Sequence, residues 1–306
     1  MSAGGGKKAI LAALSANAGI AVAKFIGAAI TGSASMLAEA VHSVADTSNQ
    51  GLLLLGQRRA EQDADELHPF GYGRNRYFYS FVVALVIFAL GSLYAIYEGI
   101  HKIQHPEMLS NAIVAIVILG LAILLEGFSF FTAMRESKPL KGNASWWRFI
   151  RNSRNPELPV VLLEDTGALI GLIFAFVAIT LTELTGDPIW DGIGTLAIGI
   201  LLGIIAIILI VEMKSLLIGE GATPEEDRKI REGLVDHQHI DRVIHLRTQY
   251  LGPEEMLVAA KVSILPGLEI AEIATAIDEA EARVREAVPA ARVIYLEPDL
   301  YRTQPV

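Results

Sequence analysis

A histidine and an aspartate four residues apart, His42 and Asp46, stand in the run AEAVHSVADTSNQ, amid small and apolar residues. On a helix, side chains at i and i+4 leave one face a turn apart, so an imidazole and a carboxylate can converge on one point. That pair suits a divalent ion of borderline softness, and it equally suits a plain His–Asp hydrogen bond. Glu39 lies in the same run. A second polar break, Glu164-Asp165, interrupts VVLLEDTGALIG. Neighbouring helix positions diverge by about 100°, so one of these carboxylates faces the cavity of His42 and Asp46 while the other caps or pairs. Glu126 is a further acid in an apolar stretch, open to pairing with Lys24 or to proton carrying. Ionisable groups are costly in hydrocarbon, which makes each a candidate functional residue. The 306 residues contain no cysteine, so any metal must sit on nitrogen and oxygen, and thiolate sites, disulfides and cysteine nucleophiles are excluded.

The elements that carry these residues are long and apolar. Hydrophobic residues make up 52% of the chain and charged ones 19%, with a mean hydropathy of +0.44, far from an ordinary soluble domain. Six stretches are long enough to cross about 30 Å of hydrocarbon: 9–30, 34–57, 77–101, 110–134, 158–182 and 190–213. The first resembles a signal peptide at its basic start, but it carries Lys24 and continues into a second span, so it is expected to be retained. Six spans put both ends on one side. The second-to-third loop holds Arg58, Arg59, Arg74 and Arg76, and the fourth-to-fifth holds Lys138, Lys141, Arg148, Arg151 and Arg154; the opposite loops offer Lys102 alone. Because Lys and Arg in short loops resist translocation, both termini are expected to be cytoplasmic. The net charge of -9 offers no footprint for nucleic acid. Cations and a membrane are the expected partners.

Beyond residue 213 the composition changes. Glu220 to Arg302 holds 17 acidic and 10 basic residues. The pattern predicts a helix from Thr223-Pro224 to Val235, strands over 241–250 and 255–264 around a turn at Gly252-Pro253, a helix over 269–287 and a strand over 291–297. The fold class that follows is a polytopic α-helical membrane protein with six transmembrane helices over 1–213 and a cytoplasmic α+β domain of α-β-β-α-β order over 214–306. A domain this small buries little core alone, which favours pairing with another copy.

The run TGSASMLAEAVHSVADTSNQ resembles the second-helix signature of the cation diffusion facilitators, and HPFGYGRNRY resembles their segment leading into the third helix. LLEDTGALIG is similar to the branch that includes animal zinc transporter member nine. The resemblance implies a transport site joining two residues on the second helix to two on the fifth, here His42 and Asp46 with positions 161 and 165. Asp165 fits, whereas Val161 stands where zinc-selective relatives carry histidine, leaving that place to water or to Glu164 after helix rotation. An oxygen-rich shell admits iron, cobalt or manganese beside zinc. The family also implies a loop site, for which His68 and Asp65 match while Tyr72 replaces a histidine. Its ferredoxin-like C-terminal domains pair as dimers, often around zinc; Tyr295 and Glu297 fall near ligand positions, with His237, His239 and His245 nearby.

The expectation is a homodimeric, proton-coupled exporter of divalent cations, zinc foremost, with no resident cofactor and Glu126 as a candidate proton carrier. It would lie in the plasma (inner) membrane if bacterial. An enzyme would want a His-Glu-x-x-His pair or an activated nucleophile, which the spans lack. A membrane-anchored metal sensor or scaffold would want a strong ligand cluster in the tail.

Overall fold

The structure, a computed structural model, describes residues 19–143 and 145–301. The chain sorts into two compact units. The first takes in the chain through Gly56 with Tyr79–Ser153 and Glu157–Met213; the second takes in Gln57–Phe78, Arg154–Pro156 and the chain from Lys214 onward.

The first unit is helical. It holds α1 (described over Gly19–Thr31), α4 (Ala112–Lys141), α5 (Trp146–Asn152), α6 (Glu157–Thr185) and the greater part of α2 (Ala34–Ala60), α3 (Asn75–Gln104) and α7 (Ile189–Ile218). Among the described residues four helices are long and apolar enough to cross a membrane: α3, α4 over Ala112–Thr132, α6 and α7. Residues 9–18 of the first expected span lie outside the described residues. α2 has 27 residues, among them Glu39, His42, Asp46 and Asn49, and is not one of the four. The short α5, within a stretch read from sequence only as a basic loop, starts where the Ser145 side chain accepts the Arg148 amide.

Small residues face inward and large ones outward, as suits helices in hydrocarbon. On α4, Ala112, Ala115, Leu119 and Ala122 are buried against Leu172, Ala175 and Ile179 of α6, while Leu121, Leu124, Leu125 and Phe128 point away. α3 and α7 meet on a glycine seam. A methyl on Gly199 would come within 2.7 Å of the Ile96 amide nitrogen, and one on Gly203 within 2.7 Å of Ser92 Oγ. This is the close approach that the Gly-x-x-x-Gly spacing of 199 and 203 suggests. Ser92 Oγ donates to the Gly199 carbonyl at 2.8 Å, inside a π-helical stretch of α3 over Ile87–Leu93.

α1 ends at Gly32, whose φ of +69° lets the chain reverse into α2. α2 has no acid in its own first turn. Fully buried Asp191 of α7 supplies one, accepting the Ser33 hydroxyl at 2.7 Å and the Ala34 and Ser35 amides at 2.7 and 3.2 Å. Lys102 of α3 donates to the Gly32 carbonyl at 3.1 Å. The α1–α2 turn is thus fastened by two other helices.

The second unit contains the expected α-β-β-α-β order: α8 (Pro224–Leu234), β1 (Ile240–Gly252), β2 (Glu255–Ile264), α9 (Ile270–Ala287) and β3 (Ala291–Asp299). Thr223 and Glu226 form a capping box with Pro224 in the first turn, which is why α8 starts there. The strand order is β1-β2-β3, with β1 antiparallel and β3 parallel to β2. Met256, Val258, Ala260, Val262 and Ile264 alternate along β2 into one core with Ile230 and Leu234 of α8 and Ala280 and Val284 of α9. Each Met, Val, Ile or Leu among them contributes on the order of 1.5–3 kcal/mol on burial.

Candidate metal centre

α2 carries the centre of the polar cluster. His42 is buried, and its Nδ1 lies 3.5 Å from Asp46 Oδ1 without a hydrogen bond between them. Both imidazole nitrogens and Asp46 Oδ1 are buried without a hydrogen-bond partner. Unsatisfied buried acceptors and donors are rare enough to need an explanation. A cation between them is one.

The fifth expected span, α6, meets this face through Glu164. Its Oε1 accepts from Asn49 Nδ2 at 2.8 Å, and its carboxyl lies within hydrogen-bonding reach of Asp46. Glu164 is 7% exposed, whereas Asp165 and Val161 are half-buried. Glu126, half-buried on α4, joins Ile20, Ser43 and Asp46 around a cavity of about 10 Å³, room for roughly one water. Among the described residues, no group of three His, Asp or Glu side chains is placed so that it could hold a metal ion as it stands.

Lys24 does not pair with Glu126. Its Nζ lies 3.3 Å from Glu39 Oε2 and donates to Ser43 Oγ at 2.7 Å, with Lys24 and Glu39 both buried. The pairing follows from α1 and α2 being joined by a tight turn, so their facing positions meet first. Asn49 was missed in the sequence reading. Its position, three residues after Asp46 and seven after His42, sets it on the same helix face, so spacing alone could have found it.

The loop pair His68 and Asp65 is close, at 3.5 Å from Nδ1 to Oδ1, with both side chains about half exposed. Asp65 is otherwise engaged. Oδ1 accepts the Leu67 and His68 amides, and Oδ2 accepts the Tyr72 hydroxyl at 2.7 Å. Tyr72 and the His68 amide hold the Asp65 carboxyl below its ordinary range, and the same contact pushes the Tyr72 phenol up. The arrangement reads as a self-contained turn. In the second unit, Glu297 pairs with Lys261 at 2.9 Å, Tyr295 is exposed, and His239 Nδ1 sits 3.1 Å from Asp236 Oδ2.

The model of the cation efflux transmembrane domain matches residues 10–218. The chain is 34% identical over 258 residues to the mitochondrial proton-coupled zinc antiporter SLC30A9 of Mus musculus, covering 83% of this chain and 45% of that protein. It is 33% identical over 231 residues to metal tolerance protein C4 of Arabidopsis thaliana, covering 74% and 50%. It is 24% identical over 284 residues to magnetosome protein MamB of Magnetospira sp. (strain QH-2), covering 92% and 90%. The chain therefore spans half or less of the length of the first two.

Proposed function

The chain belongs to the cation efflux family, and from that premise we propose that it carries divalent metal cations across a membrane, zinc foremost, in exchange for protons. Membership of a transporter family sets the enzyme reading aside. The observation that carries the proposal is the α2–α6 seam, where Asp46 and Glu164 face each other beside the unpartnered imidazole of His42. Two carboxyls so placed in a dry seam attract a cation or share a proton. An imidazole and two carboxylates make a nitrogen-and-oxygen set that zinc accepts, with iron, cobalt and manganese as further candidates.

In this reading His42, Asp46 and Glu164 hold the cation, Asn49 orients Glu164, and Asp165 and Glu126 stand behind Asp46 as the ligand's support or as proton carriers. Ligands must shed protons to bind metal, so occupancy by the two is a competition. Alternating access comes from helices α2 and α6 rocking with the site between them. Six spans, a homodimer joined through ferredoxin-like C-terminal domains, a division at 213/214 and cytoplasmic termini belong to the same proposal. The proton-coupled zinc antiport named for the mouse relative supports the transport reading by similarity.

The test is uptake into proteoliposomes holding the purified protein, across zinc, iron, cobalt and manganese. Uptake above that of protein-free vesicles is expected, and should be lost in His42→Ala and Asp46→Ala proteins that remain folded. No uptake of any of the four metals would defeat the transporter reading.

A further inference from the structure

Glu39 stands one turn before His42 on α2, completely buried, and one of its oxygens, Oε1, has no hydrogen-bond partner. That oxygen lies against Gly171 of α6, where a methyl would come within 2.4 Å of it. Gly171 follows Glu164 by seven residues, two helical turns, as Glu39 precedes Asp46 by seven. Glu39 therefore sits in the same α2–α6 seam as the candidate metal centre, in space left by an absent side chain. Its other oxygen, Oε2, is taken by the Lys24 ammonium at 3.3 Å, and that ammonium is anchored to Ser43 Oγ at 2.7 Å. A buried ion pair between helices gives little net stability over apolar packing and is expensive in a membrane. Holding α1 to α2 is a poor reason for it.

We propose that Lys24 is a specificity-determining residue: by holding Glu39 it keeps a further carboxylate out of the cation's ligand shell. The proposal rests on the transport reading of His42, Asp46 and Glu164. With Lys24 present, the seam offers one nitrogen and two carboxylates, a small shell that suits tetrahedral zinc. Without it, Glu39 is an unpaired carboxylate one turn from His42, and the shell gains a hard oxygen donor. Higher coordination by oxygen favours manganese over zinc. Lys24 touches no metal in this scheme and acts only through Glu39.

The experiment is competitive uptake of Zn²⁺ and Mn²⁺ by proteoliposomes of the full chain, read as the ratio of the two. Lys24→Met should move the ratio toward manganese by about tenfold, equivalent to roughly 1.4 kcal/mol of differential binding. Lys24→Met with Glu39→Gln should return it to the wild-type value, and Lys24→Arg should leave it there. A merely structural role for Lys24 lowers both uptakes together and does not move the ratio. An unchanged ratio in a transporting Lys24→Met protein overturns the proposal, as does a shift that survives Glu39→Gln. If Lys24→Met does not fold, Lys24→Gln, which keeps a donor for Ser43, replaces it, and an unchanged ratio has the same meaning. Wild-type vesicles that take up neither metal mark failure of the transport reading instead.

Discussion

At the scale of single residues, the adjacent acids of α6 present the sharpest choice. The family pattern favours Asp165, four positions after Val161, yet it is Glu164 that meets Asn49 and Asp46 across the seam. Glu164→Gln should therefore cut zinc uptake at least about tenfold, the scale of lost ligand or ligand-support contacts, while Asp165→Asn does less harm. Initial uptake rates at matched protein per vesicle decide it. The reverse ranking would mean that α6 turns by roughly 100° when metal is bound. Asp236 offers a test outside the membrane. Partial burial alone would push its carboxyl up, but the amides of His239, Ile240 and Gln238 and the His239 ring hold it well below the ordinary range. A depressed folded-state pKa contributes stability that is full above the unfolded value near 3.9 and fades as the pH falls below it. Asp236→Ala should cost about 1 kcal/mol at neutral pH, as for a lost cap. Denaturant melts of the full chain, followed at the C-terminal sheet, should show the variant and wild type converging below about pH 4.

At the scale of elements, the helices are held at few, specific points. Asp191 reaches 156 to 158 positions along the chain to cap α2 through Ser33, Ala34 and Ser35. Asp191→Ala leaves those buried donors unsatisfied, which should cost about 3 kcal/mol and lower the thermal midpoint of the detergent-solubilised protein. An unchanged midpoint would show that water replaces the carboxylate. The end of α2 nearest His42 depends on this cap, so transport should fall with stability. The glycine seam between α3 and α7 tolerates even less: at Gly199 the obstacle to a methyl is the Ile96 backbone itself, which has no rotamer to change. Gly199→Ala should reduce the folded yield where Gly127→Ala, with open space around it, does not.

At the scale of the whole molecule, the proposal is an exchange of cation for protons through one site. Carboxylates and an imidazole must shed their protons to bind metal, so one site cannot hold both at once, and a proton gradient can drive metal against its own. Zinc uptake should accelerate when the vesicle lumen is made acidic relative to the bath, and a lumenal pH dye should report proton exit with each pulse of zinc. Uptake indifferent to the gradient, with a silent dye in sealed vesicles, would leave a uniporter or channel.

Much of this protein is written in local pattern. The elements of the second unit were legible because capping, turn residues and alternation are properties of neighbours in sequence: Thr223-Pro224 starts α8, Gly252-Pro253 turns β1 into β2, and β2 alternates into its core. The His42–Asp46 pair was legible for the same reason, since spacing on a helix determines a shared face. What the pattern could not supply is the rotation of a helix whose two mid-span acids are adjacent in sequence. α6 has no polar face to mark its inward direction, so only its packing against α2 selects Glu164 for the seam and leaves room at Gly171 for Glu39. Partners distant in sequence escape local pattern likewise. Lys24 chooses Glu39 over Glu126, and Asp191 chooses the start of α2, because tertiary packing brings those groups within hydrogen-bond reach in a medium that offers them no water.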